Sequence, residues 1–261
     1  MAGTLAPKIL IWDIENTPII GTTWKLYDTN IIDVLQEPYM LCFAYRWYHS
    51  DDEVQVVAQT DFKRAYKRSR TDDYFVVKAA WNLFDEADII VAHNGINFDT
   101  KKMNARFAFH GLTKPSPFRE VDTLRVARKN FKFTSNKLDD LGTLLGLGQK
   151  APSTYALWKG CMAGEADAWQ KMTEYNAQDT VLLEAVYEYF KTHGWIDNHP
   201  NVNIISGNAD DCPVCGANHV HLQKRGWKYT NTTKRQQYWC RACGSYSKSR
   251  TAEKGPHTWL T

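Results

Sequence analysis

The sequence lacks any apolar run of the roughly 18 residues that a membrane-spanning helix requires. Its first residues, MAGTLAPKILIWD, also lack the basic start, the long apolar stretch and the small-residue exit of a cleavable export signal. It has no internal repeat and no low-complexity tract. These absences argue against a membrane partner, a secreted protein and a repeat array, and they favour a cytoplasmic globular protein of 261 residues.

Net charge is also small, at +3, but it is distributed unevenly along the chain. From Ile205 to the last residue there are nine Lys and Arg against three Asp and Glu, whereas residues 1–204 carry a slight acidic excess. An acidic body joined to a basic tail favours a nuclease over a simple charge-driven binder, because the tail can hold phosphates while the body supplies carboxylates.

The order of apolar segments indicates an α/β fold, with a mixed β-sheet flanked by helices. Strands are predicted at KILIWDI, YMLCFAYRWY, EVQVVAQT and ADIIVAHN. Helices are predicted over about residues 72–87, 98–110 and 163–192, and Ser135 is predicted as the N-cap of a helix in SNKLDDLGTLLGL. A stretch rich in Gly, Asn, Asp and Pro predicts a linker, which divides the chain into residues 1–192, 193–210 and 211–261.

Four carboxylates stand where a strand or a helix can direct them inward. Side chains two apart on a strand share a face, so Asp13 and Glu15 can reach one site. Asp99 follows a predicted buried strand, and Tyr175 lies one helical turn before Asp179. Each acid alone has an ordinary explanation, such as a strand end or a helix start. Together they indicate a divalent-metal phosphodiesterase, because carboxylate oxygens suit Mg²⁺ or Mn²⁺ better than Zn²⁺.

In this order, the motifs apolar-D-x-E, HN…FD, VDTL and Y-x-x-x-D resemble the DEDD superfamily of 3′–5′ exonucleases, in its Y-x-x-x-D (DEDDy) subgroup. The resemblance runs from about Lys8 to Thr192 and implies a ribonuclease-H-like sheet with helices on both faces. It implies that Tyr175 orients the attacking water and that two Mg²⁺ or Mn²⁺ ions are held by Asp13, Glu15, Asp99 and Asp179.

The same resemblance implies a substrate class. It implies that nucleoside monophosphates are released from the 3′ end of a nucleic acid; DNA is the expected partner, with RNA left open because the sequence does not distinguish the two. The residues expected beside the terminal nucleotide are Asn16, Thr17, Asn94 and Phe98.

Several neighbouring residues have competing interpretations. Phe98 either stacks on a base or packs in the core. His93 shapes the strand end or contacts the nucleotide, since the histidine of related subgroups lies in the last motif, where this chain has Tyr175. Asp122 is expected to support the fold rather than to bind metal. The basic run from Lys63 to Arg70 either follows phosphates or forms a solvated helix face.

Two C-x-x-C-G segments separated by 24 residues predict a small C-terminal zinc ribbon. Its predicted Zn²⁺ ligands are Cys212, Cys215, Cys240 and Cys243, whereas Cys42 and Cys161 are expected to be packing residues. Basic residues interleaved with aromatic ones predict nucleic-acid contacts by Lys224, Arg225, Lys228, Lys234, Arg235 and Arg241. The alternative is that the aromatic residues form the small core of the ribbon and that the ribbon binds a protein partner.

Three functional hypotheses follow from these patterns. The first is a metal-dependent 3′–5′ exonuclease whose ribbon helps to hold the substrate. The second is a transposase-like nuclease, which would use an acid triad and would not need Tyr175 four residues before Asp179. The third is a nucleic-acid-binding protein with an inactive nuclease body, against which the presence of all four acids and the tyrosine counts.

Overall fold

The computed structural model describes residues 7–25, 27, 30–48, 50–197, 199–203, 208–230 and 232–253. They divide into two compact units, Lys8–Val186 and a C-terminal unit that begins at Tyr187. This boundary falls within the last long helix, and the division at residues 192 and 210 expected from the sequence stays a prediction. Within the described part of the chain, no helix is both long and apolar enough to span a bilayer.

The described elements are ten strands, seven α-helices and two short 3-10 helices, Gln59–Asp61 and His219–His221. The strands are β1 (Ile9–Asn16), β2 (Ile20–Thr22), β3 (Asp33–Gln36), β4 (Met40–Trp47), β5 (Gln55–Ala58), β6 (Ile89–Ala92), β7 (Arg119–Asp122), β8 (Leu222–Tyr229), β9 (Lys234–Cys240) and β10 (Tyr246–Lys248). The helices are α1 (Lys63–Arg68), α2 (Tyr74–Glu86), α3 (Asp99–Phe109), α4 (Thr123–Asn130), α5 (Leu138–Leu145), α6 (Tyr155–Ala163) and α7 (Ala166–Thr192).

A five-stranded mixed sheet forms the centre of the first unit, in the order β5-β4-β1-β6-β7. β1 runs antiparallel to β4, with Asp13 opposite Ala44 and Glu15 opposite Cys42. On its other side β1 is parallel to β6, which is parallel to β7. All four predicted strands are therefore present, and the mixed α/β architecture is that of a ribonuclease-H-like fold.

Helices cover both faces of this sheet, as the sequence analysis predicted. Leu10, Trp12 and Ile14 of β1 pack in one core with side chains from α2 and α3. On the opposite face, α6 and α7 pack against β4 in a second core that includes the buried Cys42 and Cys161. Successive side chains of a strand point to opposite faces, so the remaining positions of β1 are directed towards α7.

A hairpin formed by β2 and β3 was not predicted from the sequence. Its base is closed by Thr17 and Tyr39: the Thr17 amide donates to the Tyr39 carbonyl over 2.9 Å, and the Tyr39 amide donates to Thr17 Oγ1 over 3.0 Å. Its apolar side chains are largely exposed, among them Trp24, Val34 and Leu35. The strands therefore lack the alternation of buried and exposed residues on which strand prediction depends.

Two local predictions were wrong. The long helix begins at Ala166 rather than near residue 163, because Gly164 adopts a left-handed φ of +82° and ends the separate helix α6. Ser135 is not the N-cap of α5; Lys137 holds that position. The Ser135 hydroxyl instead accepts a hydrogen bond from the Lys137 amide over 3.3 Å, which forms a turn two residues before the helix.

In the C-terminal unit, β8, β9 and β10 form an antiparallel sheet in the order β10-β9-β8. Each C-x-x-C turn is followed by a glycine in the left-handed region, with φ of +73° at Gly216 and +72° at Gly244. Residues with a side chain adopt this region at a cost, which explains the glycine in both segments.

α5 approaches α7 closely at Gly142. A Cβ atom built on Gly142 would lie 2.7 Å from the carbonyl oxygen of Gly148 and 2.7 Å from Leu182 Cδ1. The helix, the loop that follows it and α7 therefore meet at a point that has no room for a side chain.

We expect Gly142→Ala to lower the free energy of unfolding by about 1–3 kcal/mol, because the added methyl group overpacks this contact. Urea titration measures the change. Thr143→Ala, on the exposed face of the same helix, is the matched control and should change stability by less than about 0.5 kcal/mol. A Gly142→Ala variant as stable as the native chain would contradict the close approach.

Candidate functional site

Three of the predicted acids converge at one place. β1 carries Asp13 and Glu15 two residues apart on one face, and α7 brings Asp179 to the same face of the sheet. One carboxylate oxygen from each of the three lies within 4.8 Å of the others. Asp99 is not part of this trio; it is the buried first residue of α3, and its charge is close enough to raise the pKa of both Asp13 and Glu15.

Burial and mutual repulsion act on these carboxyl groups in the same direction. Burial is the main cause in every case; it raises the pKa of Glu15 to about 8 and that of Asp99 to about 7. The pKa of Asp13 is raised well above its ordinary value by burial and by the charges of its three neighbours, and that of Asp179 is also raised. Because one cation between the carboxylates would reverse these shifts, the cluster has the electrostatics of a cation site.

Two side chains compensate the cluster from within the protein. Lys150 Nζ lies 2.5 Å from Asp179 Oδ2, and this charge holds the pKa of Lys150 above its usual value although burial opposes the shift. Asn176, which is fully buried, donates from Nδ2 to Asp13 Oδ2 over 2.8 Å. The thiol of Cys42 donates in turn to Asn176 Oδ1 over 3.6 Å, which fixes the orientation of the amide.

The oxygen atoms left over fit a divalent ion. Asp179 Oδ1 is buried and has no hydrogen-bond partner among the described residues. A buried carboxylate oxygen without a partner is costly unless a cation or a proton reaches it. Together with Asp13 and Glu15, it offers the hard oxygen ligands that Mg²⁺ and Mn²⁺ take in proteins.

Tyr175 lies on α7 one turn before Asp179, as predicted. Burial raises the pKa of its phenol to about 12, so the group is neutral at physiological pH and is able to donate a hydrogen bond. It faces Asp179, whose pKa it lowers. The rings of Trp158 and Tyr175 pack edge to face, with their centres 6.0 Å apart. A hydrogen bond from the Trp158 side chain to Glu15 partly offsets the rise in the pKa of that carboxyl group.

The four residues predicted beside the nucleotide differ in their surroundings. Asn16, at the end of β1, has a buried Nδ2 with no hydrogen-bond partner in the described structure, whereas the Thr17 hydroxyl is engaged at the base of the hairpin. Asn94 has a left-handed φ of +70°, held by a 2.9 Å hydrogen bond from its amide to Asp122 Oδ1. Phe98 is 46% exposed, which is too open for a core residue.

The side chains of His93 and Asp122 are both engaged in hydrogen bonds within the protein. His93 Nδ1 lies 2.9 Å from Thr123 Oγ1 and Nε2 lies 2.9 Å from the Asn136 carbonyl, and burial lowers the pKa of the imidazole to about 4. Asp122 caps α4 by accepting from the amides of Leu124 and Arg125. Both side chains thus fix the segment that follows β6, as expected from the sequence.

The basic run forms the exposed face of α1. Lys63, Arg64 and Lys67 are exposed and take part in no ion pair described in the structure, while Arg68 pairs with Asp72 at 3.4 Å. Arg70 donates to the Ala163 carbonyl at the end of α6 over 2.5 Å. This arrangement agrees with a solvated helix face.

The four cysteines of the tail also converge. Their sulfur atoms lie within 4.8 Å of one another, with Cys212 Sγ 3.8 Å from Cys243 Sγ and Cys215 Sγ 3.9 Å from Cys240 Sγ. All are free thiols. Four sulfur donors brought together by two tight turns have the composition of a structural zinc site.

A family model described as the RNase H superfamily matches residues 35–191. The chain belongs to the RNase H superfamily. No curated protein was found to match it. The matched range contains Asp99, Tyr175 and Asp179, and it begins after β1, which carries the other two acids. Membership of this superfamily indicates a nuclease-type phosphodiester hydrolase that acts on nucleic acid.

Three residues of this RNase H-like site were not identified from the sequence: Lys150, Trp158 and Asn176. Lys150 is in a loop and Trp158 in a helix that was not predicted, so no periodicity connected them with the acids. Asn176 did carry a signal, because it lies within the Y-x-x-x-D motif and is a polar residue on a helix that packs against the sheet.

We expect Glu15→Gln to flatten the pH dependence of stability in the absence of added Mg²⁺ or Mn²⁺. The unfolded glutamate has a pKa of about 4.3. Because the folded pKa is raised to about 8, the native chain loses stability as the pH rises through that value. Urea titrations should show the variant gaining about 2–3 kcal/mol on the native chain between pH 6 and pH 9, most of it below pH 8.

Glu174→Gln, an exposed change on α7, controls for the loss of a glutamate. A stability difference between Glu15→Gln and the native chain that is constant from pH 6 to pH 9 would show that the raised pKa is incorrect.

Proposed function

We propose that this RNase H-superfamily chain is a metal-dependent 3′–5′ exonuclease that releases nucleoside monophosphates from DNA, with RNA as the alternative substrate. The observation that carries the proposal is the convergence of Asp13, Glu15 and Asp179, with Tyr175 directed at Asp179 from the preceding turn of α7. An acid triad alone is compatible with other nucleases of this fold. The neutral tyrosine beside the last acid favours the exonuclease.

In this proposal Asp13, Glu15, Asp99 and Asp179 hold two divalent ions. When bound, Mg²⁺ or Mn²⁺ activates water and stabilises the negative charge that develops on the leaving 3′ oxygen. The unpartnered Asp179 Oδ1 and the raised pKa of Glu15 both support this assignment, because each is relieved by a cation.

The remaining residues bind and orient. Tyr175 donates a hydrogen bond that positions the attacking water, and Asn16, at the end of β1, lies beside the terminal nucleotide. Phe98, with nearly half of its surface exposed, stacks on a base, and Asn94 contacts the terminal nucleotide. Thr17 contributes by fixing the chain that follows β1.

The tail completes the proposal. Cys212, Cys215, Cys240 and Cys243 hold one Zn²⁺, which supplies much of the stability of a segment too small to have a large core of its own. The ribbon then assists the body by binding the nucleic-acid substrate.

Digestion of 5′-labelled single-stranded DNA and RNA with Mg²⁺ or Mn²⁺ tests the activity. We expect a stepwise ladder of products from the native chain, background cleavage from Asp179→Asn, and a rate about 100-fold lower from Tyr175→Phe, because the water is then poorly positioned. Asp140→Asn, a matched change at an exposed acid, should leave the ladder intact. A single internal cut, or no product with either metal, would exclude the exonuclease.

A second experiment concerns the support of Asp13. Removing the buried Asn176 amide should weaken divalent-ion binding about 10- to 100-fold, since the group that orients a ligand is lost. We therefore expect Asn176→Ala to need more Mg²⁺ for half-maximal rate and to bind Mn²⁺ less tightly in a titration followed by electron paramagnetic resonance. Asn104→Ala, on the exposed face of α3, is the control. Unchanged Mn²⁺ affinity in Asn176→Ala would contradict this role.

A further inference from the structure

The segment that forms β8, β9 and β10 is rich in basic residues. Residues 222–252 contain eight Lys and Arg and no Asp or Glu. The same stretch contains two tryptophans and three tyrosines. The sequence predicted nucleic-acid contacts here but could not distinguish the two faces of the sheet.

The strand register separates these residues into two faces, because directly paired residues of antiparallel strands lie on the same side. Pairing of Lys224 with Tyr238, Trp227 with Gln236 and Tyr229 with Lys234 defines one side, here the Trp227 face. The other side is here called the Trp239 face. Trp239 is paired with Gln223 on one neighbouring strand and with Tyr246 on the other, so all three share this face. The pairs Lys228–Arg235 and Lys248–Gln237 lie on the same face. Arg225 belongs to it because its guanidinium lies 5.0 Å from the Trp239 ring centre.

Charge differs sharply between the two faces. On the Trp227 face, Lys234 pairs with Glu253 at 3.4 Å and also covers the Trp227 ring at 4.0 Å, which leaves Lys224 as the other cation. The Trp239 face carries Arg225, Lys228, Arg235 and Lys248, and the structure describes no carboxylate paired with any of them.

The hydrogen bonds described for Arg235 on the Trp239 face are made to neutral groups. Arg235 donates to the backbone carbonyls of Ser249 and Arg250, which orient it without neutralising it. Arg241 lies beside this face, with its guanidinium against the side-chain amide of Gln223. Phosphate groups are the ligands that a set of fixed and unpaired guanidinium groups favours.

Aromatic surface accompanies these charges. Trp239 lies on the central strand between Gln223 and Tyr246, and Tyr246 is 47% exposed. The Arg225 guanidinium lies over the Trp239 ring and Tyr246 lies beside it on the next strand. A stacked arginine and indole take part in base stacking while neighbouring cations hold the backbone. Stacking requires unpaired bases, and this indicates a single strand rather than a duplex.

We propose that single-stranded nucleic acid lies across the Trp239 face, with one base stacked on Trp239 and its phosphates held by Arg225, Lys228, Arg235 and Lys248. This inference rests on the proposed function, because it assigns the surface by which the nuclease holds its substrate. The Trp227 face, which has one of its two cations neutralised, takes no direct part.

Matched substitutions on the two faces test the proposal in the full-length chain. Binding of a 5′-fluorescein 20-nucleotide single strand is measured by anisotropy in the Asp179→Asn background with Mg²⁺ present, which prevents cleavage. We expect Trp239→Ala to weaken binding about tenfold, as for loss of one stacked base, and Trp227→Ala to have less than a twofold effect. Trp239→Phe should restore most of the affinity.

The charged groups are tested by salt dependence. Arg225→Gln with Lys248→Gln should lower the slope of log affinity against log salt by about 1.4, which corresponds to two phosphate contacts on a single strand. Lys224→Gln with Lys234→Gln removes the same formal charge from the Trp227 face and should change the slope by less than half as much. Binding of heparin, a polyanion without bases, should be unaffected by Trp239→Ala.

Zinc content and thermal denaturation establish that each variant retains its ribbon. Equal losses from the two faces, no binding of the oligonucleotide, or a parallel loss of heparin binding in Trp239→Ala would overturn the assignment. These results are independent of the nuclease assay. If the native chain produces no ladder but Trp239→Ala still loses binding selectively, the proposed function fails and the binding face stands.

Discussion

Bringing carboxylates of like charge together in a partly buried site costs free energy, and the first unit is arranged around that cost. Asp13, Glu15 and Asp179 come within a few ångströms of one another because one apolar core fixes β1 against α2 and α3, while a second core on the opposite face holds α7 against β4. The raised pKa of Glu15 has the same origin, because burial and then the charge of Asp179 disfavour its ionised form. Packing energy distributed over many residues thus holds a charge arrangement that no local interaction would favour.

The protein compensates this repulsion incompletely. Lys150 neutralises one oxygen of Asp179 and Asn176 satisfies one oxygen of Asp13, but the second oxygen of Asp179 has no partner in the described structure. Partial compensation suits a site that must bind cations reversibly. Complete neutralisation by fixed side chains would remove the affinity for an ion, and no neutralisation would leave the fold unstable without one.

How far the sequence predicted this arrangement depends on the type of signal. Strong apolar periodicity located β1, β4, β5 and β6 and the helices α2, α3 and α7, but neither β7 nor α6. The spacing of Asp13 with Glu15 and of Tyr175 with Asp179 gave the shared faces. The β2–β3 hairpin escaped prediction because its apolar residues are exposed. Lys150 escaped because a loop residue has no periodicity, and its distance to Asp179 is set only by tertiary packing.

The position of Lys150 in the charged site depends on Gly142, a residue that belongs to none of the sequence motifs. Because it has no side chain, α5 and the loop at Gly148 can rest against α7, two residues before Lys150. The Lys150 amide is itself bonded to Asp139 of α5 over 2.7 Å. Position 142 should therefore tolerate substitution as poorly as the charged residues do, although its only contribution is that it lacks a Cβ atom.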